Sequence, residues 1–286
     1  MFAQDFKKSL KLLKLAIARG KNYLQHLKTL YIHETAQINT SPIFILGHQK
    51  SGTTAIAALL AKISSQAVTI DLFHQIDLKG HLREQLFRED LAFEQIVKNN
   101  KFYFSTPLNK DPNFTFLYEK LYQDFPQAQF IMVIRDPRDT IRSFLNWLQL
   151  PGNLEILPQN YWQMLAQKAA QGPTLVLQGH LPEVAGNSYM EILAQRWNLA
   201  AETYLTHKAN FVLIRYEDFV ADKVGAISKL AEQVDLKVTD DISQAINIQY
   251  QPKGKHDVSW EEFFGNANLG KIGAICAEKM SYFDYQ

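Results

Sequence analysis

Cysteine, net charge and long apolar runs are all scarce in this chain of 286 residues, and each scarcity excludes a class of protein. Cys276 is the single cysteine, so an intramolecular disulfide and a four-cysteine zinc site are excluded, and a reducing compartment such as the cytoplasm is expected. Lys and Arg number 30 against 29 Asp and Glu, a net charge of +1, whereas non-specific nucleic-acid binding needs a far more basic chain. No apolar run approaches the roughly 18 residues of a membrane-spanning helix. The hydrophobic content of 47% is that of an ordinary globular protein.

The charge is unevenly placed, because residues 1–28 carry a net charge of +6 and the rest of the chain a net charge of −5. The apolar residues of this basic segment recur every three or four positions, which predicts an amphipathic helix within residues 1–40. Those residues are Phe6, Leu10, Leu13, Ile17, Leu24, Leu27 and Tyr31. Three interpretations stay open: a helix packed on the body or on a second subunit of a homodimer, a peripheral contact with an anionic membrane surface, and a targeting peptide.

Short apolar runs alternate with helical patterns after residue 41, which predicts an α/β fold with a mostly parallel central sheet in a single three-layer domain over residues 41–286. The predicted strands are 43–46, 67–70, 102–104, 130–134 and 211–214, and the predicted helices are 55–62, 137 onward and 223–234. Residues 151–190 are rich in Gly and Pro and predict an insertion outside the sheet, with a helix at 161–170. This insertion is either a lid over a substrate or surface decoration.

The loop between the first predicted strand and helix has the composition of an anion site. It reads Gly47, His48, Gln49, Lys50, Ser51, Gly52, Thr53, Thr54. The two glycines permit a tight turn and close approach of a phosphate, and backbone N–H groups converge at the helix N-terminus. The lysine precedes the second glycine by two residues instead of following it, so the loop departs from Walker A and a magnesium-dependent NTPase is disfavoured.

A second anion site is predicted where the strand 130–134 ends. Arg135 follows this strand, and Asp136 and Pro137 have the N-cap and first-turn identities that begin a helix. Ser143 lies two helical turns after Asp136 and therefore on the same face. Because parallel strands open their carboxyl ends on one sheet edge, Arg135 and Ser143 are expected near the first loop.

With these motifs in place, residues 41–286 resemble the P-loop sulfotransferases that use 3′-phosphoadenosine 5′-phosphosulfate (PAPS). The stretch from Pro42 to Thr54 is similar to that family's 5′-phosphosulfate loop, and the stretch from Phe125 to Ser143 is similar to its 3′-phosphate motif. Residues 215–218 (Arg, Tyr, Glu, Asp) match a further family element, and Thr106 with Pro107 is similar to the family's Lys-Thr-Pro element.

The resemblance implies an enzyme that transfers a sulfuryl group to a hydroxyl or amine of a small-molecule or carbohydrate acceptor, with adenosine 3′,5′-bisphosphate (PAP) as the other product. It implies that Lys50 stabilises charge on the leaving phosphate, that Tyr216 lies by the adenine, and that no metal is required. It also implies that a basic loop, here Lys253, Gly254 and Lys255, closes over the 3′-phosphate.

The general base of the reaction is the point where this sequence departs from the family pattern. Neither a histidine nor a glutamate accompanies Thr106 and Pro107. Asp71 and His74 follow the second predicted strand and are expected at the same sheet edge. Imidazole titrates near neutral pH, which suits His74 to the task; Asp71 is the second candidate, and neither residue is the third alternative.

Two other functions remain open on this sequence. One is a P-loop kinase of a small molecule. This function is disfavoured because the lysine of the loop is displaced and because no clear acidic residue follows an apolar strand, as Walker B would require. The other is a catalytically inactive nucleotide-binding protein, which the missing base near Thr106 favours. Preference for PAP over ATP would distinguish the sulfotransferase from the kinase.

Overall fold

The computed structural model describes residues 35–77, 81–167, 171–181, 183–249 and 258–286. The predicted N-terminal amphipathic helix of residues 1–28 lies outside the described residues. So does the predicted basic loop of Lys253, Gly254 and Lys255.

The centre of the fold is a sheet of five parallel strands in the order β2-β3-β1-β4-β5. The strands are β1 (Ile43–Gly47), β2 (Val68–Ile70), β3 (Leu108–Lys110), β4 (Gln129–Ile134) and β5 (Phe211–Arg215). In register, Ile43 of β1 lies opposite Leu108 on one side and Gln129 on the other. The order places β1 centrally, so the loop that follows it is flanked by the ends of β3 and β4.

Helices and short 3₁₀ turns connect these strands. The helices are α1 (Thr53–Ile63), α2 (Leu72–Ile76), α3 (His81–Phe87), α4 (Phe93–Asn99), α5 (Tyr118–Asp124), α6 (Pro137–Leu148), α7 (Gln159–Gln167), α8 (Gln171–Leu177), α9 (Tyr189–His207), α10 (Tyr216–Ala221), α11 (Lys223–Gln233) and α12 (Trp260–Tyr282, interrupted at Gly265). The 3₁₀ turns are Tyr103–Ser105, Pro112–Leu117 and Lys208–Asn210. Within the described ranges, no helix is long and apolar enough to cross a membrane.

Both faces of the sheet are buried, which is why β1 and residues 130–134 of β4 are apolar without interruption. Alternate residues of β1 point to opposite faces: Phe44 and Leu46 join one core cluster, while Ile43 and Ile45 join the other. Helices α1 and α11 cover the isoleucine face, and α6, α9 and α12 cover the phenylalanine face. The predicted α/β domain with three layers and a parallel sheet is therefore confirmed.

One predicted strand is wrong. Residues 102–104 run into the 3₁₀ turn Tyr103–Ser105, and the third strand is Leu108–Lys110 instead. Phe104 does not belong to the sheet. Its ring stacks on the Phe125 ring in the core, with the two ring centroids 5.9 Å apart. Conversely, β3 carries a buried asparagine and lysine, so it gives no apolar run to recognise.

Residues 151–190 contribute no strand among those described and contain helices α7 and α8. Helix α7 begins two residues before the predicted helix at 161–170, of which residues 168–170 lie outside the described residues. Helix α8 supplies Gly172, Pro173 and Val176 to a cavity at the sheet edge. Its role as a lid stays a prediction.

Candidate functional site

A cavity of about 580 Å³ opens at the carboxyl edge of the sheet. Every strand contributes to it, because parallel strands end on the same edge. The residues that follow or end the five strands and line it are Lys50, Asp71, Lys110, Arg135 and Tyr216. Three of these five side chains are cationic and one is anionic, so the cavity is suited to an anionic ligand.

The loop after β1 is shaped by contacts beneath the cavity. The Gly47 N–H donates to the Thr115 hydroxyl at 2.8 Å, and the Ser51 hydroxyl donates to the His48 carbonyl at 2.7 Å. Gly47 and Ser51 therefore support the loop from behind. The other predicted donor-binding residues of this loop line the cavity: Gln49, Lys50, Gly52, Thr53 and Thr54.

Gly52 is required for two reasons. Its φ of +97° lies in the left-handed region, and it caps α1 so that the first N–H groups of that helix point toward the cavity. A Cβ at this position would also lie 2.3 Å from Cδ2 of Tyr216. The tyrosine ring thus packs directly on the phosphate loop.

The Lys50 ammonium faces the cavity beside the Trp147 ring, 5.5 Å from its centroid. Burial, together with repulsion from Arg135 and Lys110, lowers the pKa of Lys50 to about 8, and the Asp71 charge opposes this shift. The charged form of Lys50 is disfavoured first because the ammonium is largely buried, and second because three cations share one concave space. An anion placed among them would relieve this repulsion.

Lys110 is a residue of the cavity that the sequence does not single out. It ends β3, is almost completely buried, and donates to the Thr54 hydroxyl at 2.9 Å and to the Asp71 carboxylate at 2.5 Å. The element expected at Thr106 and Pro107 lies before β3, with the Thr106 hydroxyl bonded to the Leu108 carbonyl.

A signal for Lys110 was nevertheless present in the sequence. Lys110-Asp111-Pro112 repeats the cation-Asp-Pro pattern of Arg135-Asp136-Pro137. In both places the aspartate caps the next turn, with Asp111 accepting from the Asn113 N–H and Asp136 from the Arg138 N–H. The pattern places a cation at the carboxyl end of two strands that flank β1.

Arg135 joins three parts of the site. Its Nη1 donates to the Lys50 carbonyl at 3.0 Å, and its guanidinium lies 4.4 Å from the Tyr216 ring centroid. Its buried Nε has no hydrogen-bond partner among the described residues, which leaves a donor available to a ligand. Ser143 lines the same cavity from α6, as predicted from its spacing.

The residues proposed as general base also reach the cavity. Asp71 has a φ of +53°, and its carboxylate is paired with Lys110. His74 is exposed on α2 and lines the cavity. Asp111 is a third acid there, but its carboxylate accepts from the Phe73 N–H and from Asn113, and burial raises its pKa.

The model of the Sulfotransferase family matches residues 81–240, more than half of the chain. The chain therefore belongs to the sulfotransferase family. The matched segment includes β3, β4 and β5 with Lys110, Arg135 and Tyr216, and begins after the phosphate loop.

Solved structures of sulfotransferases are similar in fold. Sulfotransferase STF9 from Mycobacterium avium is 14% identical with a TM-score of 0.52, over 93% of this chain and 81% of that one. Mouse sulfotransferase SULT7A1 complexed with PAP is 17% identical with a TM-score of 0.48, over 88% of this chain and 89% of that one. The sulfotransferase domain from the curacin biosynthetic pathway is 16% identical with a TM-score of 0.48, over 87% and 99%. No curated protein sequence matches the chain.

Proposed function

We propose that this sulfotransferase moves a sulfuryl group from PAPS to a hydroxyl or amine of a small-molecule or carbohydrate acceptor. The observation that supports this most directly is that two cationic positions from different strands face one cavity. Lys50 and Lys110 lie at the N-terminus of α1, and Arg135 with Ser143 lies beyond β4. A nucleotide with anionic groups at both its 5′ and 3′ positions would engage both.

The chain's donors fit such a nucleotide. The α1 N-terminus, with Thr53 and Thr54, would hold the 5′-phosphosulfate. The unpartnered Nε of Arg135 and the Ser143 hydroxyl would hold the 3′-phosphate. Tyr216, wedged between Gly52 and Arg135, would bring the nucleoside against the loop. Closure by Lys253, Gly254 and Lys255 stays a prediction.

In this reaction the protein would position the donor and the acceptor and stabilise the charge that develops on the leaving phosphate. The sulfur–oxygen bond to the phosphate breaks as a bond forms between sulfur and the acceptor oxygen or nitrogen. The Lys50 ammonium would donate to the oxygen left on the phosphate, with Lys110 as a second positive charge nearby. The acceptor's proton goes to a base, and no covalent enzyme intermediate is needed. That the reaction requires no metal also stays a prediction.

We favour His74 as that base. It is exposed at the cavity, whereas the Asp71 carboxylate already holds the Lys110 ammonium. Histidine at this position would accept the proton without disturbing the cation cluster. His74→Ala should lose turnover and recover part of it when imidazole is added. Unchanged turnover would mean that the base is Asp71, or neither of these two residues.

A calorimetric titration with PAP, and with ATP plus magnesium as comparator, tests the donor. Tight PAP binding with weak ATP binding is the expected result. Preference for ATP would favour the kinase, which the position of Asp111 after β3 supports. PAP binding without turnover on a broad acceptor panel would favour an inactive nucleotide-binding protein.

The predicted partners beyond the acceptor are not tested by the described residues. A homodimer and a peripheral membrane contact both depend on residues 1–28, which lie outside them. The cytoplasmic location and the absence of a nucleic-acid partner likewise stay predictions.

A further inference from the structure

A buried arginine behind the phosphate loop has a charge that no described carboxylate balances. Arg196 of α9 is 1% exposed, and its guanidinium lies 3.9 Å from the Phe116 ring centroid. Its Nε donates to the Gln49 side chain at 3.3 Å, and its buried Nη2 has no hydrogen-bond partner among the described residues. Since burying an unpaired charge is costly, an anion should complete this arrangement.

A second arginine places positive charge at the wall of the cavity. Arg83 of α3 lines the cavity and is held from behind, with its Nε 2.9 Å from the Asp77 carboxylate and its Nη2 3.0 Å from the Asp77 carbonyl. Its Nη1 approaches α8 so closely that a Cβ on Gly172 would lie 2.3 Å away. Asp77 thus fixes Arg83 in place and balances one of the two positive charges.

Beyond Asp77, the described residues that contact these arginines add no negative charge. His48 and His180 each face Arg196, and burial together with that repulsion lowers the pKa of both to about 3. The Nε2 of His48 is also buried without a partner among the described residues. Gln49 lines the cavity and accepts from Arg196, so it links the buried charge to the ligand space.

Apolar side chains line the cavity that Arg83 and Lys50 share. Trp147 is half exposed, lines the cavity and lies beside the Lys50 ammonium. Pro173 and Val176 of α8 line the same cavity. An aromatic or aliphatic body would pack there while its hydroxyl faces Lys50.

We propose that the acceptor of this sulfotransferase carries a carboxylate, which binds at Arg83 with Arg196 behind it, on an apolar body that packs against Trp147. The inference rests on the proposed function, because it assigns the acceptor end of the same cavity. A guanidinium fork matches a carboxylate in geometry as well as charge.

The test compares probes that differ only in charge. The protein, free and saturated with PAP, is titrated calorimetrically with 3-(4-hydroxyphenyl)propionate and with the corresponding neutral amide. A charge-assisted hydrogen bond should make the acid bind about tenfold or more tightly than the amide. Equal affinities, or no binding of the acid to either form, overturn the inference.

A matched pair of variants locates the preference. Asp77→Asn with Arg83→Gln removes the charge and its counter-ion together, whereas Asp77→Asn alone keeps the guanidinium. We expect the preference for the acid to vanish in the double variant and to persist in the single one, with PAP affinity unchanged in both. A preference that survives in the double variant overturns the inference.

The same titrations separate this inference from the proposed function. Loss of PAP affinity in the double variant alone would mean that Arg83 serves the donor, which also overturns the inference. Failure of the wild-type protein to bind PAP overturns the proposed donor instead. The comparison of acid and amide on wild-type protein decides the inference even if the double variant does not fold.

Discussion

Raising the pH through about 8 should weaken PAP binding, with Lys50 responsible for most of the loss. In the ligand-free cavity, burial and the neighbouring cations hold the pKa of Lys50 at about 8, well below its ordinary 10.5. A bound phosphate favours the ammonium and raises that pKa, so binding takes up a proton whenever the free lysine is neutral. Affinity therefore stays level below the free pKa and falls above it.

The size of the effect follows from linkage of one proton. Each pH unit above the free pKa costs about 1.4 kcal/mol, or tenfold in affinity, so PAP should bind about 30-fold more weakly at about pH 9.5 than at about pH 7. The stability of the ligand-free protein should change in the opposite direction. Between about 8 and 10.5 the unfolded lysine holds more protons than the folded one, so this group makes the unfolding free energy rise with pH.

Calorimetric titrations with PAP across this pH range measure how steeply the affinity falls with pH. Lys50→Gln should flatten it, because the titrating group is gone. Asp71→Asn should start the fall at lower pH, since the Asp71 charge raises the pKa of Lys50, while the amide oxygen can still accept from Lys110. A flat wild-type profile, or a Lys50→Gln profile as steep as the wild type, would refute the reasoning.

Four further changes should have distinct effects. Lys50→Ala should lower turnover about 100-fold or more in a sulfuryl-transfer assay, the scale for removing one charge stabiliser. Arg135→Ala should weaken PAP binding by about 1.5–3 kcal/mol in calorimetry, and unchanged affinity would remove the 3′-phosphate assignment. Gly52→Ala should weaken PAP binding because its Cβ displaces Tyr216, whereas Gly273→Ala, with nothing within 4 Å, should not. Phe44→Ala should lower the unfolding free energy by about 3–5 kcal/mol in denaturant titrations, since Phe44 is fully buried among aromatic rings.

Local pattern in the sequence was sufficient for the fold class, for four of the five strands and for ten of the residues that line the cavity. Apolar runs identified β1 and β4, which are buried on both faces, and the partly buried edge strand β5, because such runs need no information about their neighbours. The phosphate loop and the Arg135–Ser143 spacing were likewise local patterns. The strand order then brought Lys50 and Arg135 to one cavity, as parallel strands with a common edge require.

The strand at 108–110 shows where local pattern fails. Its Asn109 and Lys110 are buried because neighbouring strands and helices surround them, and the Lys110 side chain donates to Asp71 and Thr54. The apolar Phe104 nearby was the stronger strand signal, yet it packs in the core from a 3₁₀ turn. Polar residues within a strand have no periodic signature, so only their surroundings explain their burial.

By itself, then, the sequence determined a parallel α/β fold, an anion loop after the first strand and a second cation after β4. Only the tertiary structure decided the electrostatics of the cavity: Lys110 paired with Asp71, the lowered pKa of Lys50, and the unbalanced Arg196 behind Gln49. The physical reason is the separation along the sequence of the residues that interact. Secondary structure follows from residues a few positions apart, whereas the charge state of a buried group depends on partners such as Arg196 and Gln49, which are 147 positions apart and meet only in the fold.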